Sequence, residues 1–314
     1  MLTRFIDKFI QRVAFVIMLC MMMAACSDSD DDAVGTEDVS VAFTLTVADA
    51  ASTRAENDGW DDYSPAQDGI LNENLVNTDD IIIAIYDDKG NKVDNVEDLR
   101  VTTVSDPSVS GMAVYAITGV WRNAKPNVDK AKRVMVIANS NVSAWGDPSA
   151  LTYDLNPGTR KYIPMWGVVK IPATLTLGKQ NKLPDIQMLR AMAKVSVSLR
   201  TDMTKSGYAI GSMTVNNYNT KGYCVPKTFN EVDNTSEVRF ANSLNVLDSH
   251  ADKIALPTTA PLYLPEYDNS GANPTTITVN LNRNGTLEGS YTLEFRNYDS
   301  DGKPTGSTYP IQRN

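Results

Sequence analysis

Apolar side chains alternate strictly with small or polar ones between residues 39 and 47. Val39, Val41, Phe43, Leu45 and Val47 occupy every second position. A period of two residues is that of a β-strand with one buried face, so the segment predicts a strand whose five large side chains enter a core. Such a strand constrains the fold strongly, because it needs both hydrogen-bonding neighbours and a core on one side of a sheet.

Similar patterns recur along the chain and predict a mostly β protein. Runs of apolar or alternating residues lie at 81–87, 112–121, 133–139, 194–200, 212–218, 276–282 and 290–298. Turn sequences separate them, such as "DDKGNK" after Tyr86 and "NRNG" after Leu281, where Asn-Gly supplies the positive φ of a tight hairpin. This spacing is typical of antiparallel β-sandwiches. Helical patterns are scarce, and short helices are predicted only within 142–154 and 242–256.

The length of 314 residues favours more than one domain. The segment "LGKQNKLPDIQMLRAMAKV" contains glycine, proline and polar residues that interrupt one set of strands, and "AKVSVSL" begins another. We therefore predict an N-terminal domain over residues 37–188 and a C-terminal domain over residues 189–314.

The N-terminus has the features of a targeting segment. Three basic residues precede "VAFVIMLCMMMAA", an apolar run of 13 residues that is short for a membrane span. This run ends in "MAAC", which resembles the lipobox of bacterial lipoproteins and predicts lipidation of Cys26. Residues 1–25 would then be the lipoprotein signal peptide. An ordinary signal peptide that happens to contain Cys26 is the alternative.

Residues 26–36 contain the acidic stretch "SDSDDD", which predicts a solvated tether. A serine followed by acidic residues at this place resembles the signal that exports lipoproteins of the Bacteroidetes to the outer face of the outer membrane; a simple linker is the alternative. Removal of residues 1–25, with three basic groups and one acidic group, would change the formal charge from −9 to −11. Such an acidic chain is not expected to bind nucleic acid.

Catalytic chemistry has little support in the sequence. His250 is the single histidine, and we expect it on the surface of a short helix. Cys224, the one thiol expected to remain free after processing, lies in a strand-like setting typical of a buried, inert cysteine. The segment 299–306, "DSDGKPTG", resembles the start of a calcium loop, but a hairpin turn fits it better. We predict no enzyme, no cofactor and no metal site, and we expect the four tryptophans to serve packing.

Several segments together resemble a known family. They are "RVMVIANS" (133–140), "YIPMWG" (162–167), "IQMLRAMAKVSVSL" (186–199), "GYCVP" (222–226), "LYLPEY" (262–267) and "YPIQRN" (309–314). In this order the chain resembles the fimbrillins that build type V pili in the Bacteroidales. The resemblance implies an all-β fold of two tandem transthyretin-like antiparallel β-sandwich domains, and a structural role in a surface fimbrium that supports cell adhesion.

The resemblance also implies a processing pathway. Family precursors reach the outer membrane as lipoproteins with acyl chains such as palmitate, and an arginine-specific protease then removes the anchor together with the first strand. Arg54 and Ala55 are the matching cleavage candidates, and the alternating residues of 39–47 are the strand that plugs the groove. A strand from a neighbouring subunit would fill the groove after cleavage. The implied partners are other fimbrial subunits, the protease and, before processing, the outer membrane.

The same N-terminal features fit two other kinds of surface protein. Some family members keep the lipid and the first strand and act as pilus anchors, and a surface-exposed glycan-binding lipoprotein would share the same N-terminal features. The chain ends at Asn314, where family members usually continue into further strands that include the donor. We expect a truncated C-terminal domain, with a subunit that lacks a donor strand as the alternative.

Overall fold

The structure is a computed structural model of the chain. It describes residues 35–47, 74–105, 113–140, 151–155, 162–171, 174–226, 230–231, 238–239, 244, 246–247, 249–258 and 261–313. Within these ranges the fold is mostly β. The helices whose bounds lie in the described ranges are α1 (Thr201–Lys205) and a 3-10 turn at Val128–Lys130.

The strands of the first half of the chain are β1 (Val39–Val47), β2 (Ile81–Tyr86), β3 (Lys92–Ser105), β4 (Ala113–Trp121), β5 (Arg133–Ala138), β6 (Thr152–Asp154), β7 (Met165–Lys170), β8 (Gln180–Lys182), β9 (Ile186–Gln187), β10 (Leu189–Arg190) and β11 (Ala193–Val195). Nine of them form one sheet in the order β10-β7-β5-β2-β3-β4-β1-β8, with β9 also beside β1. The predicted strand 39–47 is therefore confirmed with the same bounds.

The later strands are β12 (Tyr208–Asn219), β13 (Lys221–Tyr223), β14 (Asn230–Glu231), β15 (Val238–Arg239), β16 (His250–Leu256), β17 (Leu262–Leu264), β18 (Thr276–Arg283), β19 (Thr286–Glu294), β20 (Asn297–Tyr298) and β21 (Pro304–Thr305). Four of them form an antiparallel sheet in the order β16-β12-β18-β19. Smaller two-stranded sheets include β6 with β13 and β11 with β17.

In the part of the chain that the structure describes, three clusters of buried side chains fill the space around these sheets. Strands β2, β5 and β7 contribute to two of them, because their alternate residues belong to different clusters. Ile83 and Ile85 belong to the first cluster, whereas Ala84 and Tyr86 of the same strand belong to the second. Burial of both faces explains why these strands have continuous apolar sequences. The third cluster includes the inward residues of β12, β16 and β18.

Two predicted turns are confirmed in detail. Asp87 accepts hydrogen bonds from the backbone N–H groups of Lys89 and Asn91 at 2.9 and 2.7 Å, which closes the turn between β2 and β3. The side-chain amide of Asn91 also donates to Asp87 Oδ2 at 2.9 Å, and this hydrogen bond is the main reason that the pKa of Asp87 is lowered. Asn284 and Gly285 both have positive φ, 50° and 84°, as the Asn-Gly hairpin between β18 and β19 requires.

Other predictions need correction. His250 is exposed, as expected, but it begins strand β16 and does not lie on a helix. Ile254 and Leu256 alternate into the third cluster, and the pairing of this segment with β12 overrides its weak helical pattern. The helix predicted in 142–154 is also wrong where the structure describes that segment, because Thr152–Asp154 forms β6.

Residues 37–314 form one compact unit. Strand β6 pairs with β13, and the second core cluster contains residues from both sides of position 188, such as Trp166 and Cys224. The division into domains 37–188 and 189–314 stays a prediction.

Candidate functional site

The first strand buries the face that its sequence predicts. Val39, Val41, Phe43, Leu45 and Val47 are each between 0 and 2 % exposed. All five belong to the first core cluster, which they share with residues of β2, β4, β5 and β7. The five side chains of the predicted plug strand therefore fill part of the first core cluster. That the strand is removable stays a prediction.

Strand β1 has hydrogen-bonding partners on both of its edges. It pairs antiparallel with β4 along its whole length, from Val39 opposite Trp121 to Val47 opposite Ala113. On the other edge it pairs parallel with β8 and then with β9. Removal of β1 would leave a groove between β4 and these two short strands, with unpaired backbone groups along both walls.

The parallel wall of this groove is built by residues 178–188. The backbone N–H of Leu183 donates to the carbonyl of Ala42 at 2.9 Å, and that of Met188 donates to the carbonyl of Thr46 at 2.8 Å. The side-chain amide of Asn181 also donates to the carbonyl of Ser40, at 3.2 Å. A segment rich in polar residues thus holds this edge of β1 at two places, Ser40–Ala42 and Leu45–Thr46, mainly through main-chain hydrogen bonds.

An ion-pair network holds the N-terminal end of β1. Asp38 Oδ1 accepts from the backbone N–H of Asn123 at 2.8 Å, and Asp38 Oδ2 accepts from Arg122 Nη1 at 2.9 Å. Arg122 also donates to Asp98, and hydrogen bonds to Asp98 and then Asp38 raise the pKa of the guanidinium. The Asp38 side chain is only 11 % exposed.

A second pair lies one residue earlier. Lys125 Nζ contacts Glu37 Oε1 at 2.9 Å, and this hydrogen bond raises the pKa of Lys125. Both side chains are more than half exposed, so water screens the pair and its contribution to stability is small. The two neighbouring acidic residues therefore differ in burial although the sequence "ED" does not distinguish them.

The processing residues predicted from the sequence lie outside the described residues. These are Cys26, Arg54 and Ala55, and the same holds for Trp60 and Trp145. Trp121 and Trp166 are buried in the core, as expected for packing residues. Cys224 is also buried, which confirms the prediction of an enclosed thiol.

Three of the segments that carried the family resemblance meet at Arg313. Its Nη2 donates to Glu266 Oε2 at 2.8 Å, and its Nη1 donates to the carbonyl of Cys224 at 3.2 Å. Both charged side chains are under 5 % exposed. The segments "GYCVP", "LYLPEY" and "YPIQRN" are thus joined by a buried ion pair and a hydrogen bond from the same arginine, contacts that no local sequence pattern indicates.

Asn139 joins two more of these segments. Its side-chain amide donates to the carbonyls of Ile163 and Leu75 at 2.7 and 2.8 Å, and its Oδ1 accepts from the backbone N–H of Asn77 at 2.7 Å. Asn139 is buried, and its φ of 62° lies in the left-handed region that asparagine tolerates. Asn139 therefore joins the segments "RVMVIANS" and "YIPMWG" by hydrogen bonds, which is a structural role.

The described residues offer no metal-binding cluster. They contain no group of three or more His, Cys, Asp or Glu side chains that could hold a metal ion. In the same ranges, no helix is long and apolar enough to cross a membrane.

Comparison with known proteins gives a similarity to a solved structure and none to a family model or a curated protein. The chain is similar to the crystal structure of a fimbrial assembly protein from Parabacteroides distasonis, with a TM-score of 0.47 and 12 % sequence identity. The alignment covers 82 % of this chain and 86 % of that one.

Proposed function

We propose that this chain is a structural subunit of a cell-surface fimbrium that is assembled by strand replacement and supports adhesion. The observation that carries the proposal is β1 itself, a continuous strand with five buried apolar side chains and partners on both edges. The segments that resemble type V fimbrillins support it independently. The proposed fold comprises two transthyretin-like β-sandwich domains, residues 37–188 and 189–314.

In this proposal the precursor reaches the outer membrane as a lipoprotein anchored through Cys26. An arginine-specific protease then cleaves between Arg54 and Ala55, a few residues after the end of β1. Cleavage separates β1 from the rest of the chain, so that the strand is held by noncovalent contacts alone. A strand from a neighbouring subunit then takes its place.

The energetics favour replacement over simple loss of the strand. Burial of an apolar side chain contributes about 1.5 to 3 kcal/mol, so the five inward residues of β1 together contribute on the order of 10 kcal/mol. An empty groove would also leave the hydrogen-bonding groups of both walls unpaired. An incoming strand that replaces these contacts as β1 leaves avoids most of that cost. Cleavage favours the exchange, because the displaced β1 is no longer covalently joined to the groove and loses the high effective concentration of an intramolecular strand.

An anchor or a glycan-binding lipoprotein is the second candidate. Pairing of β1 with strands on both of its edges suits a permanent strand as well as a removable one. In that case Cys26 would keep its lipid and β1 would remain in place at the cell surface.

The mass and N-terminal sequence of the protein isolated from the cell surface test the proposal. After treatment with an arginine-specific protease we expect an unlipidated chain that begins at Ala55. Arg54→Lys is the matched control, because it keeps the positive charge but removes the arginine. A lipidated chain that begins at Cys26 and persists with the protease present would favour the anchor or glycan-binding alternative.

A further inference from the structure

An alternating apolar strand does not define its own register. If β1 or a replacement strand shifts by two residues, its apolar side chains still face the core, because the side-chain period of a strand is two. The groove therefore needs another feature that selects one alignment. The N-terminal end of β1 offers one, since Asp38 is fixed there by groups that belong to the rest of the chain.

We propose that Arg122 and the backbone N–H of Asn123 form a carboxylate site that sets the register and direction of the strand in the groove. This inference rests on the proposed function when it is applied to a replacing strand. The partner must then carry an acidic residue directly before its first inward apolar residue, where Asp38 precedes Val39.

The geometry is that of a built anion site. Two donors, the Arg122 guanidinium and the Asn123 amide, each contact a different oxygen of Asp38, at 2.9 and 2.8 Å. The backbone is also held, because the N–H of Gly178 donates to the Asp38 carbonyl at 2.8 Å. A two-residue shift would place Ser40 or Thr36 at this position, and neither supplies a carboxylate.

The site would persist when β1 leaves. Arg122 also donates to Asp98 of β3, a contact that does not involve β1 and stays available when Asp38 leaves. Loss of Asp38 leaves the guanidinium and the Asn123 amide without this acceptor, and a charge-assisted pair of hydrogen bonds favours another carboxylate there. A strand that enters in the opposite direction would place its N-terminal end at the far side of the groove, near Ala113, away from these donors.

Peptide competition tests the inference. The mature chain is cut after Arg54, unfolded in urea and refolded with an excess of two peptides in equal amounts, and the captured peptide is identified by mass spectrometry. One peptide has the unchanged sequence of residues 37–47 and the other carries Asp38→Asn. We expect the unchanged peptide to be captured at least about tenfold more often, since the Asp38 carboxylate is 11 % exposed and accepts two hydrogen bonds, one of them from a guanidinium. Arg122→Glu in the protein should abolish this preference.

The matched control is a peptide with Glu37→Gln. It removes the exposed pair with Lys125, so its capture should change less than about threefold. Equal capture of the unchanged peptide and the Asp38→Asn peptide would overturn the carboxylate site while leaving strand replacement intact. If the protease does not cut after Arg54, that result counts against the proposed function alone. The peptide competition is then performed with a chain in which a recognition sequence for another protease replaces residues 52–55.

The intact chain gives a second, independent readout. Asp38→Asn, Arg122→Met and the double variant form a cycle in urea unfolding that does not depend on cleavage or on capture of a peptide. We expect the two changes to be coupled by at least about fivefold in the unfolding equilibrium constant. Additive effects would overturn the inference, whatever the outcome for the proposed function.

Discussion

Replacement of Phe43 by alanine tests whether β1 is held by its inward face. Phe43 lies near the middle of the strand, opposite Ile117 of β4, and is 2 % exposed. Truncation of a buried phenylalanine typically costs about 3 to 5 kcal/mol, because transfer free energy is lost and a cavity remains. Such a loss is a large share of the roughly 5 to 15 kcal/mol by which a domain is stable.

Urea unfolding of the mature chain, followed by circular dichroism, measures this loss. With a slope of about 3 kcal/mol per molar urea, a loss of about 4 kcal/mol lowers the midpoint by a little over 1 M. Thr46→Ala is the matched control, since Thr46 lies on the opposite face of the same strand and is half-buried; we expect a loss below about 1 kcal/mol. Equal losses for the two variants would refute the assignment of the inward face.

Three further predictions concern other parts of the chain. Arg313→Ala removes the buried ion pair with Glu266, so urea unfolding should show a loss of about 3 to 5 kcal/mol. Hydrogen bonds from Asn91 lower the pKa of Asp87 in the folded protein. The resulting stabilisation is present above the pKa of the unfolded chain and is lost as the pH falls through the pKa of the folded protein. The difference in free energy of unfolding between wild type and Asp87→Asn should therefore narrow below about pH 4. Gly285→Ala introduces a side chain at a φ of 84° and should lower the free energy of unfolding by about 1 kcal/mol or more. Gly271→Ala is the control, because an added Cβ meets no atom at either glycine but φ is not positive at Gly271. The change at Gly271 should therefore be smaller.

Local sequence patterns were sufficient for the elements that have a clear period or a turn signal. The strand 39–47 was predicted with the bounds that the structure gives, because five inward residues alternate without interruption. The hairpins at 87–92 and 282–289 were also predicted, since glycine after a polar residue permits the positive φ of a tight turn.

The partners of β1 were not predictable in the same way. The glycine, proline and polar residues of segment 177–195 predict a domain boundary, yet Gln180–Lys182 and Ile186–Gln187 form the strands β8 and β9 that complete the groove. These strands are two or three residues long and contain polar residues, so they carry no local pattern. Their conformation depends on a neighbour about 140 residues earlier in the chain.

The role of Asp38 was hidden for a similar reason. It follows an acidic tether and precedes the first strand, where a solvated carboxylate is the ordinary expectation. Its burial becomes visible only when Arg122 and Asn123, which follow β4, are placed beside it by the antiparallel pairing. The buried pair of Glu266 and Arg313 likewise depends on contacts between distant segments.

A disulfide between β1 and β4 tests strand replacement most directly. Ala42 lies opposite Thr118 in the register, and both side chains lie half-buried on the face away from the first core cluster, so Ala42→Cys with Thr118→Cys can join the strands. With the disulfide formed, we predict that cleavage after Arg54 proceeds but that polymers do not appear in electron micrographs, and that reduction restores them. Either single variant should polymerise under both conditions. Polymers of unchanged yield from the oxidised double variant would contradict the account, because β1 could not have left its groove.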